Sequence, residues 1–370
     1  GRLSDTDERV PDGDTVFELA SIGKVFTGVL LAQAVVKEEV QLDDPKSIYL
    51  PEGVTAPAYE GRSITLLDLA THTSGLSWSG IEPRHSSYTL DEMYTYLSSI
   101  RLTRTPGSTW EYSGFGMGLL GNLLVRRAGV ADYEALLVDR ITGPLGMDST
   151  HIVLTPEMRS RLAPPHRTYS RPAASLDAPT FAGAGAGLRS TANDMLTFLA
   201  ANMGLTGTEL QPALQLANTS QRPSFGKATI GLGWNLPGWS FMIGDSGFVR
   251  PGNTIRSHGG GNPGYSSYLV WDPEAEVGIV VLANAPYRSV NIDQVVRLLI
   301  SKLPFTLGQD APKDLASYAV RYQDPDGNMV TFRVDGTRIF IQLPDEPEYE
   351  LFASSENHFY LPASDLEISF

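Results

Sequence analysis

The sequence predicts a mixed α/β (α+β) protein with an antiparallel sheet and a small C-terminal antiparallel β domain. Three observations carry that expectation. A long apolar run with helical spacing, residues 22, 25, 26, 29 and 30, opens the chain. Two apolar, β-branched runs, 267–271 and 277–282, flank an Asp272-Pro273-Glu274 turn and read as a hairpin at the centre of a sheet. From about residue 312 the pattern alternates with a period of two, in 329–334 and 338–343, around the Asp335-Gly336 hairpin signal. The domain boundaries expected are 1–305 and 312–370.

The first element is apolar on nearly every side and therefore expected to be buried. It stops where Lys37-Glu38-Glu39 restores charge. Residues 42–51 read as a connection, and 64–70 as a short helix running into Thr71-His72-Thr73-Ser74-Gly75-Leu76. Residues 77–90 read as a loop carrying Trp78, His85 and Tyr88, followed by an amphipathic helix over 90–100 that opens with Asp91-Glu92 at its positive end. A Pro106-Gly107 turn leads through Tyr112-Ser113-Gly114 into a helix over 115–124, where Gly114, Gly118 and Gly121 permit close packing. No strand–loop–helix context surrounds those glycines, which excludes a nucleotide loop.

Further helices are expected over 133–141, over 192–202 with Ser190 or Thr191 as cap, and over 292–303. Residues 155–180, rich in Pro, Arg and Ser, read as an irregular excursion, and Gly231-Leu232-Gly233-Trp234 as the start of a strand-rich region. Asp324-Pro325-Asp326-Gly327-Asn328 has a slight likeness to a calcium loop but lacks the glutamate and flanking helices, so a turn is expected.

Composition narrows the function classes. The 370 residues are 42% hydrophobic and 19% charged, ordinary for a globular chain. The net charge of −14 argues against nucleic acid and anionic membrane as partners. There is no cysteine, hence no disulfide, thiolate nucleophile or thiolate metal site. No stretch of about 20 apolar residues suggests a membrane span, and no signal peptide is visible.

The chemistry starts at Ser21 and Lys24, three apart and so on one helix face. A lysine inside an apolar helix is costly unless paired or neutralised. Beside a serine hydroxyl it has a use, since it can take the serine proton and make a nucleophile. A chance Ser-x-x-Lys is an N-capping serine with an outward lysine; the apolar setting favours the chemical reading. Two further stretches stand out. Tyr112 precedes a helix start, where a phenol would be aimed into a cleft. Ser257-His258-Gly259-Gly260-Gly261 precedes the hairpin, and its bare glycines would admit a substrate backbone. A packed core tyrosine and an ordinary glycine turn are the plainer alternatives.

In combination these segments resemble the serine β-lactamase and penicillin-binding-protein superfamily, in the branch of class C β-lactamases, D,D-peptidases and family VIII esterases. The similarity includes 69–76, 106–113, Gly143-Pro144-Leu145-Gly146-Met147, 187–195, 231–234 and His258-x-Gly260, in order along residues 1–303. It implies a β-lactamase/transpeptidase-like central antiparallel sheet with a helical subdomain and the cleft between them. It implies Ser21 as acylated nucleophile, Lys24 assisting its deprotonation, Tyr112 exchanging a proton with nucleophile and leaving group, and His258 holding that proton network. The backbone N–H groups of Ser21 and Gly261 would form the oxyanion hole, with Gly260 and Gly114 lining the substrate site.

The expected activity is hydrolysis of an ester or amide-type bond, β-lactams included, with a small-molecule or peptide substrate and no cofactor or metal. The alternative is a sensor or binding protein that is acylated but turns over poorly. A homo-oligomer is compatible with the sequence, and the resemblance favours a periplasmic or secreted setting. Two departures from the branch stand out. Gly114 occupies the place of the usual asparagine, and Ser21 comes early, so the N-terminal helix and first strand of relatives are expected to be missing, through truncation or a processed start, with the C-terminal end also expected to be cut inside a strand pattern.

Overall fold

The computed structural model describes residues 2–4, 6–77, 89–168, 171–172, 179–224, 228–236, 255–273, 276–286 and 295, and in the tail 315–323, 329–336, 338–344, 348–355, 358–360 and 367–369. These divide into two compact units, one holding the residues up to 286 and the other those from 295 onward. The 78–88 part of the expected loop, with Trp78, His85 and Tyr88, lies outside the described residues, as do the 324–328 turn and all but Val295 of the helix expected over 292–303.

In the first unit, strand β1 (Phe17–Glu18) leads through a 3₁₀ turn (Ala20–Ile22) into helix α1 (Gly23–Val36). Residues 23–34 of α1 are buried throughout, Lys24 included, as the all-round apolar pattern requires. A two-residue ladder, β2 (Ala58–Tyr59) with β3 (Arg62–Ser63), precedes helix α2 (Leu66–Ala70). A reciprocal capping box of Thr65 and Asp68 starts α2. The same device, Thr89 with Glu92, starts α3 (Leu90–Ser99).

Asp68 is fully buried and also accepts from Arg62 at 3.4 Å and Arg222 at 3.1 Å. Lys46 lies fully buried nearby and feels the Asp68 charge. Ser113 caps α4 (Gly114–Ala128), which Gly129 ends in the left-handed conformation. The small residues of α4 let the chain approach closely. A methyl at Gly121 would lie 2.8 Å from the Gly183 Cα, and one at Gly118 2.9 Å from the Phe181 ring.

Helix α5 (Tyr133–Leu137) continues as a π turn (Val138–Thr142) into α6 (Gly143–Leu145). The stretch read as irregular contains real structure. Helix α7 (Pro156–Arg161) is started by a Thr155 cap with proline at its first position, and a short hairpin joins β4 (His166–Thr168) to β5 (Arg171–Pro172). Those start signals were present in Thr155-Pro156-Glu157 and were masked by the surrounding Pro, Arg and Ser. Strand β6 (Arg189–Ser190) pairs with β1, and Thr191, not Ser190, caps α8 (Ala192–Asn202). Helix α9 (Gln211–Ala217), which the sequence pattern did not indicate, packs on α1.

A six-stranded antiparallel sheet follows in the order β12-β11-β10-β9-β8-β7. Its members are β7 (Arg222–Pro223), β8 (Thr229–Ile230), β9 (Asn235–Leu236), β10 (Arg256–Gly261), β11 (Ser266–Asp272) and β12 (Val277–Ala283). Gly231–Trp234 is not a strand but the turn between β8 and β9, closed by the Gly231 N–H on the Trp234 carbonyl at 2.8 Å. The expected hairpin is β11–β12, but among the described residues β12 ends the sheet rather than lying at its centre. The Ser257–Gly261 stretch does not merely precede that hairpin. It forms most of β10, which pairs with β11.

The core of this unit gathers Phe26, Val29, Leu30, Phe115, Leu119, Leu123, Phe198, Trp234, Leu269 and Trp271, so helices and sheet share one apolar interior. The second unit is an antiparallel meander of β13 (Arg321–Gln323), β14 (Met329–Asp335), β15 (Arg338–Gln342), β16 (Glu348–Ser355), β17 (His358–Tyr360) and β18 (Glu367–Ser369). Phe332, Ile339, Ile341, Leu351 and Phe359 make its core with Leu315 and Tyr318. Gly336, at φ 61°, supplies the turn that Asp335-Gly336 signalled.

Candidate active site

Ser21 sits in the 3₁₀ turn immediately before α1, not in the α-helix proper. The residue before it, Ala20, has φ 49°, a left-handed conformation that costs a residue with a Cβ about 1–2 kcal/mol. The surroundings enforce it. The Leu19 N–H donates to the Leu188 carbonyl at 2.9 Å, and the Leu19 carbonyl accepts the Ser267 hydroxyl at 2.6 Å. Gly185, itself at φ 89°, lies so close that a methyl there would fall 1.8 Å from the Ala20 carbonyl oxygen.

Lys24 is only 3% exposed. Its Nζ donates to Ser21 Oγ at 3.0 Å and to the Ala184 carbonyl at 2.9 Å. It also stands 5.0 Å from the centre of the Tyr112 ring. The pair expected from spacing is therefore in contact, and two neighbours fix the lysine head.

Tyr112 is half-buried and precedes the cap of α4. His258 lies on β10, 4% exposed. Its Nδ1 is 2.7 Å from the Gly259 carbonyl, which can only accept, so Nδ1 carries the hydrogen and Nε2 is left as a bare acceptor. Burial, with the nearby Lys24 charge second, pushes His258 down to about 3, so the ring is neutral at ordinary pH.

Gly260 faces the serine turn: a Cβ there would be 2.1 Å from the Leu19 carbonyl oxygen and 3.2 Å from the Ser21 backbone nitrogen. The expectation that bare glycines admit substrate thus needs correction at Gly260, where the space is taken by the protein's own serine turn. Gly261, one residue on, is exposed. Gly114 is the first residue of α4, directly after the Ser113 cap and two residues after Tyr112.

Two groups received no role from sequence. Glu18, buried three residues before Ser21, pairs with Arg189 at 3.1 Å and accepts from Asn262 Nδ2 at 2.6 Å. Asn262 in turn accepts from the backbone of Gly264 and Tyr265, so one carboxylate ties β1 to the β10–β11 turn. The other is His72, 2% exposed, whose ring centre lies 4.5 Å from that of Tyr112. The Thr71–Leu76 turn is one of the segments that carry the family resemblance. Spacing alone carries no signal that its histidine meets Tyr112, 40 residues away in sequence.

Antiparallel sheet, helices on its face and a Ser–Lys pair at the foot of a buried helix are the features of a serine hydrolase with the β-lactamase/transpeptidase fold. The chain belongs to the Beta-lactamase family, whose model matches residues 2–301. It is 30% identical over 311 residues to the D-alanyl-D-alanine-carboxypeptidase/endopeptidase AmpH of Escherichia coli K12, covering 79% of this chain and 77% of that protein. It is 31% identical over 301 residues to a β-lactamase of the same organism, covering 74% and 76%. Among solved structures it resembles a β-lactamase/D-alanine carboxypeptidase of Yersinia pestis, with TM-score 0.68, 28% identity and coverage of 82% and 88%. A class C β-lactamase of Rhodobacter sphaeroides gives TM-score 0.68 at 26% identity, covering 81% and 90%. The protein is thus a hydrolase of the β-lactamase/D-alanyl-D-alanine-carboxypeptidase kind. Among the described residues no helix is long and apolar enough to cross a membrane.

Proposed function

We propose that the protein hydrolyses esters and related acyl compounds through an acyl-enzyme on Ser21. The observation that carries this is the 3.0 Å contact between the buried Lys24 Nζ and Ser21 Oγ. In the reacting form Nζ presents a lone pair to the serine: as Oγ attacks the acyl carbon, the C–O bond forms and the hydroxyl proton passes to that lone pair. Tyr112, with its ring 5.0 Å from that nitrogen, relays a proton to the leaving group as its bond breaks. His258, held neutral, keeps an acceptor lone pair beside this network without adding a second positive charge. The Ser21 and Gly261 N–H groups receive the oxyanion, and the same steps in reverse, with water as nucleophile, release the acid. An exported or periplasmic setting belongs to this proposal and rests on family resemblance alone.

The preference for esters follows from Gly114. In relatives an asparagine there contacts the acyl side-chain amide of peptides and β-lactams. Glycine has no such group, and one lost hydrogen bond costs about 0.5–1.5 kcal/mol. Substrates carrying that amide lose roughly tenfold, while short activated esters lose nothing. The relatives' own names favour a second reading, hydrolysis of β-lactams or D-alanyl peptides.

A panel separates the readings: p-nitrophenyl acetate and butyrate, a D-alanyl-D-alanine peptide and a chromogenic cephalosporin, with mass spectrometry after a fluorophosphonate probe. Higher kcat/KM on the short ester, abolished together with labelling in Ser21→Ala, supports the proposal. Cephalosporin turnover equal to or above ester turnover moves the protein to the β-lactamase side. A stable adduct with no turnover on any substrate would make it an acylated sensor.

A further inference from the structure

The turn that carries His72 is held from several sides. The Thr71 hydroxyl bonds the Leu67 carbonyl at 2.7 Å, the Thr73 N–H bonds the Asp68 carbonyl at 2.9 Å, and the Gly107 N–H bonds the Thr73 carbonyl at 2.7 Å. Inside this frame His72 adopts φ 58°, a left-handed conformation uncommon outside glycine. Strain of that sort persists only where the surroundings over-determine it, and it concentrates at functional sites.

Beyond its own turn, His72 grips the tripeptide 111–113 and the Trp110 ring before it. Its carbonyl accepts the Glu111 N–H at 2.8 Å, and its Nδ1 accepts the Ser113 N–H at 3.2 Å. Its ring lies 4.5 Å, centre to centre, from the Tyr112 ring between those two residues, tilted 38°, and meets the Trp110 ring edge-on at 6.3 Å. Backbone before, backbone after and ring face between are all gripped by one residue. The Ser113 bond requires a bare Nδ1 and so fixes the neutral ring with its hydrogen on Nε2. Burial first, then the nearby Lys24 charge, hold the ring well below the usual histidine range and keep it in that form.

We propose that His72 is a positioning residue of the site: by clamping residues 111–113 it sets the Tyr112 phenol against the Ser21–Lys24 pair. This rests on the reading of Tyr112 as the proton-exchanging group. A clamp of this kind acts on the chemical step and not on substrate affinity, because His72 works only through Tyr112.

The test compares His72→Phe, which keeps a ring but has no acceptor, with His72→Asn, whose Oδ1 can stand near the place of Nδ1 and which tolerates left-handed backbone. Expected on p-nitrophenyl butyrate is a 10- to 100-fold fall in kcat for His72→Phe with KM within threefold, a matching fall in the fluorophosphonate labelling rate, and recovery to within about fivefold of wild type in His72→Asn. Tyr112→Phe and the double variant complete the cycle. The double variant should be no more than threefold slower than Tyr112→Phe, since both act on one step.

If Tyr112→Phe is unimpaired, the reading of Tyr112 itself fails. If Tyr112→Phe is impaired while His72→Phe keeps kcat within twofold, or if the two single losses simply multiply, the clamp fails. Should His72→Phe not fold, ¹⁵N spectra of histidine in the unmodified protein decide. A His72 ring with bare Nδ1 and protonated Nε2 supports the clamp, and the opposite tautomer overturns it.

Discussion

A single methyl group on β10 should disable the site without unfolding the protein. A Cβ at Gly260 would fall 2.1 Å from the Leu19 carbonyl oxygen and 2.3 Å from Ser267 Oγ. The serine side chain can rotate away, at the loss of its 2.6 Å bond to that same carbonyl. The carbonyl is backbone and has to retreat by about 1 Å to reach even a tight contact, carrying Ser21 with it, and a misplacement of about 1 Å costs on the order of 10²-fold in rate. Overpacking itself costs about 1–3 kcal/mol, small enough to leave the fold intact.

Gly259→Ala is the internal control, because the nearest atoms its Cβ would meet are those of the Tyr268 ring, at an ordinary 3.4 Å. Stopped-flow acylation with p-nitrophenyl butyrate, alongside thermal melting, should show Gly260→Ala folded and about 100-fold slow, with Gly259→Ala within threefold of wild type. A folded Gly260→Ala that acylates at the normal rate, or a Gly259→Ala equally slow, refutes the argument.

Lys46→Met should stabilise the protein by up to about 5 kcal/mol at pH 6.5. Burial pushes the Lys46 amine down to about 7 from 10.5, so below pH 7 the folded state bears the full cost of a buried charge. Above pH 7 the unfolded chain holds the extra proton, wild-type stability rises, and the gain fades by about pH 10.5; urea unfolding at both ends of that window checks it. His258 works on the acid side. Its folded value lies below its unfolded one, so from pH 6.5 down toward 3 the unfolded chain takes a proton that the folded chain refuses, and stability falls with pH. His258→Gln should lessen that slope by up to about 1.4 kcal/mol per pH unit in acid-unfolding curves, and an unchanged slope would count against the buried neutral ring. We also propose that residues 312–370 form a domain of their own, so a chain ending at 311 should keep fluorophosphonate labelling of Ser21; loss of labelling in a folded truncation would contradict this.

The parts of the fold that sequence disclosed are those with local causes. Helix α1 announced itself by apolar spacing, α3 by its acidic first turn, and β14–β15 by alternation around Asp335-Gly336. The Ser21–Lys24 contact was legible because a spacing of three brings the two side chains together, even across the junction of the 3₁₀ turn and α1. What stayed hidden depends on chain segments meeting from afar. Nothing local distinguishes the glycine at 260 as one pressed on Leu19, or says that Ser267, Ala184 and His72 reach the same centre. Helix α7 was missed for a different reason, because a valid Thr-Pro-Glu start lay inside a stretch whose composition suggested a loop.

The supports of Ser21 also bear on how the enzyme is made. Lys24 is anchored on a carbonyl 160 positions along the chain, and the Leu19 carbonyl on a hydroxyl 248 positions along. Neither anchor exists while the early part of the chain is being synthesised. A nascent chain therefore carries Ser-x-x-Lys for most of its synthesis without these two anchors. They form only once the segments holding Ala184 and Ser267 have packed, contacts of long sequence separation that are slow to form. Covalent labelling of Ser21 by a serine-directed probe is therefore expected to report on completed packing of the segments that hold it.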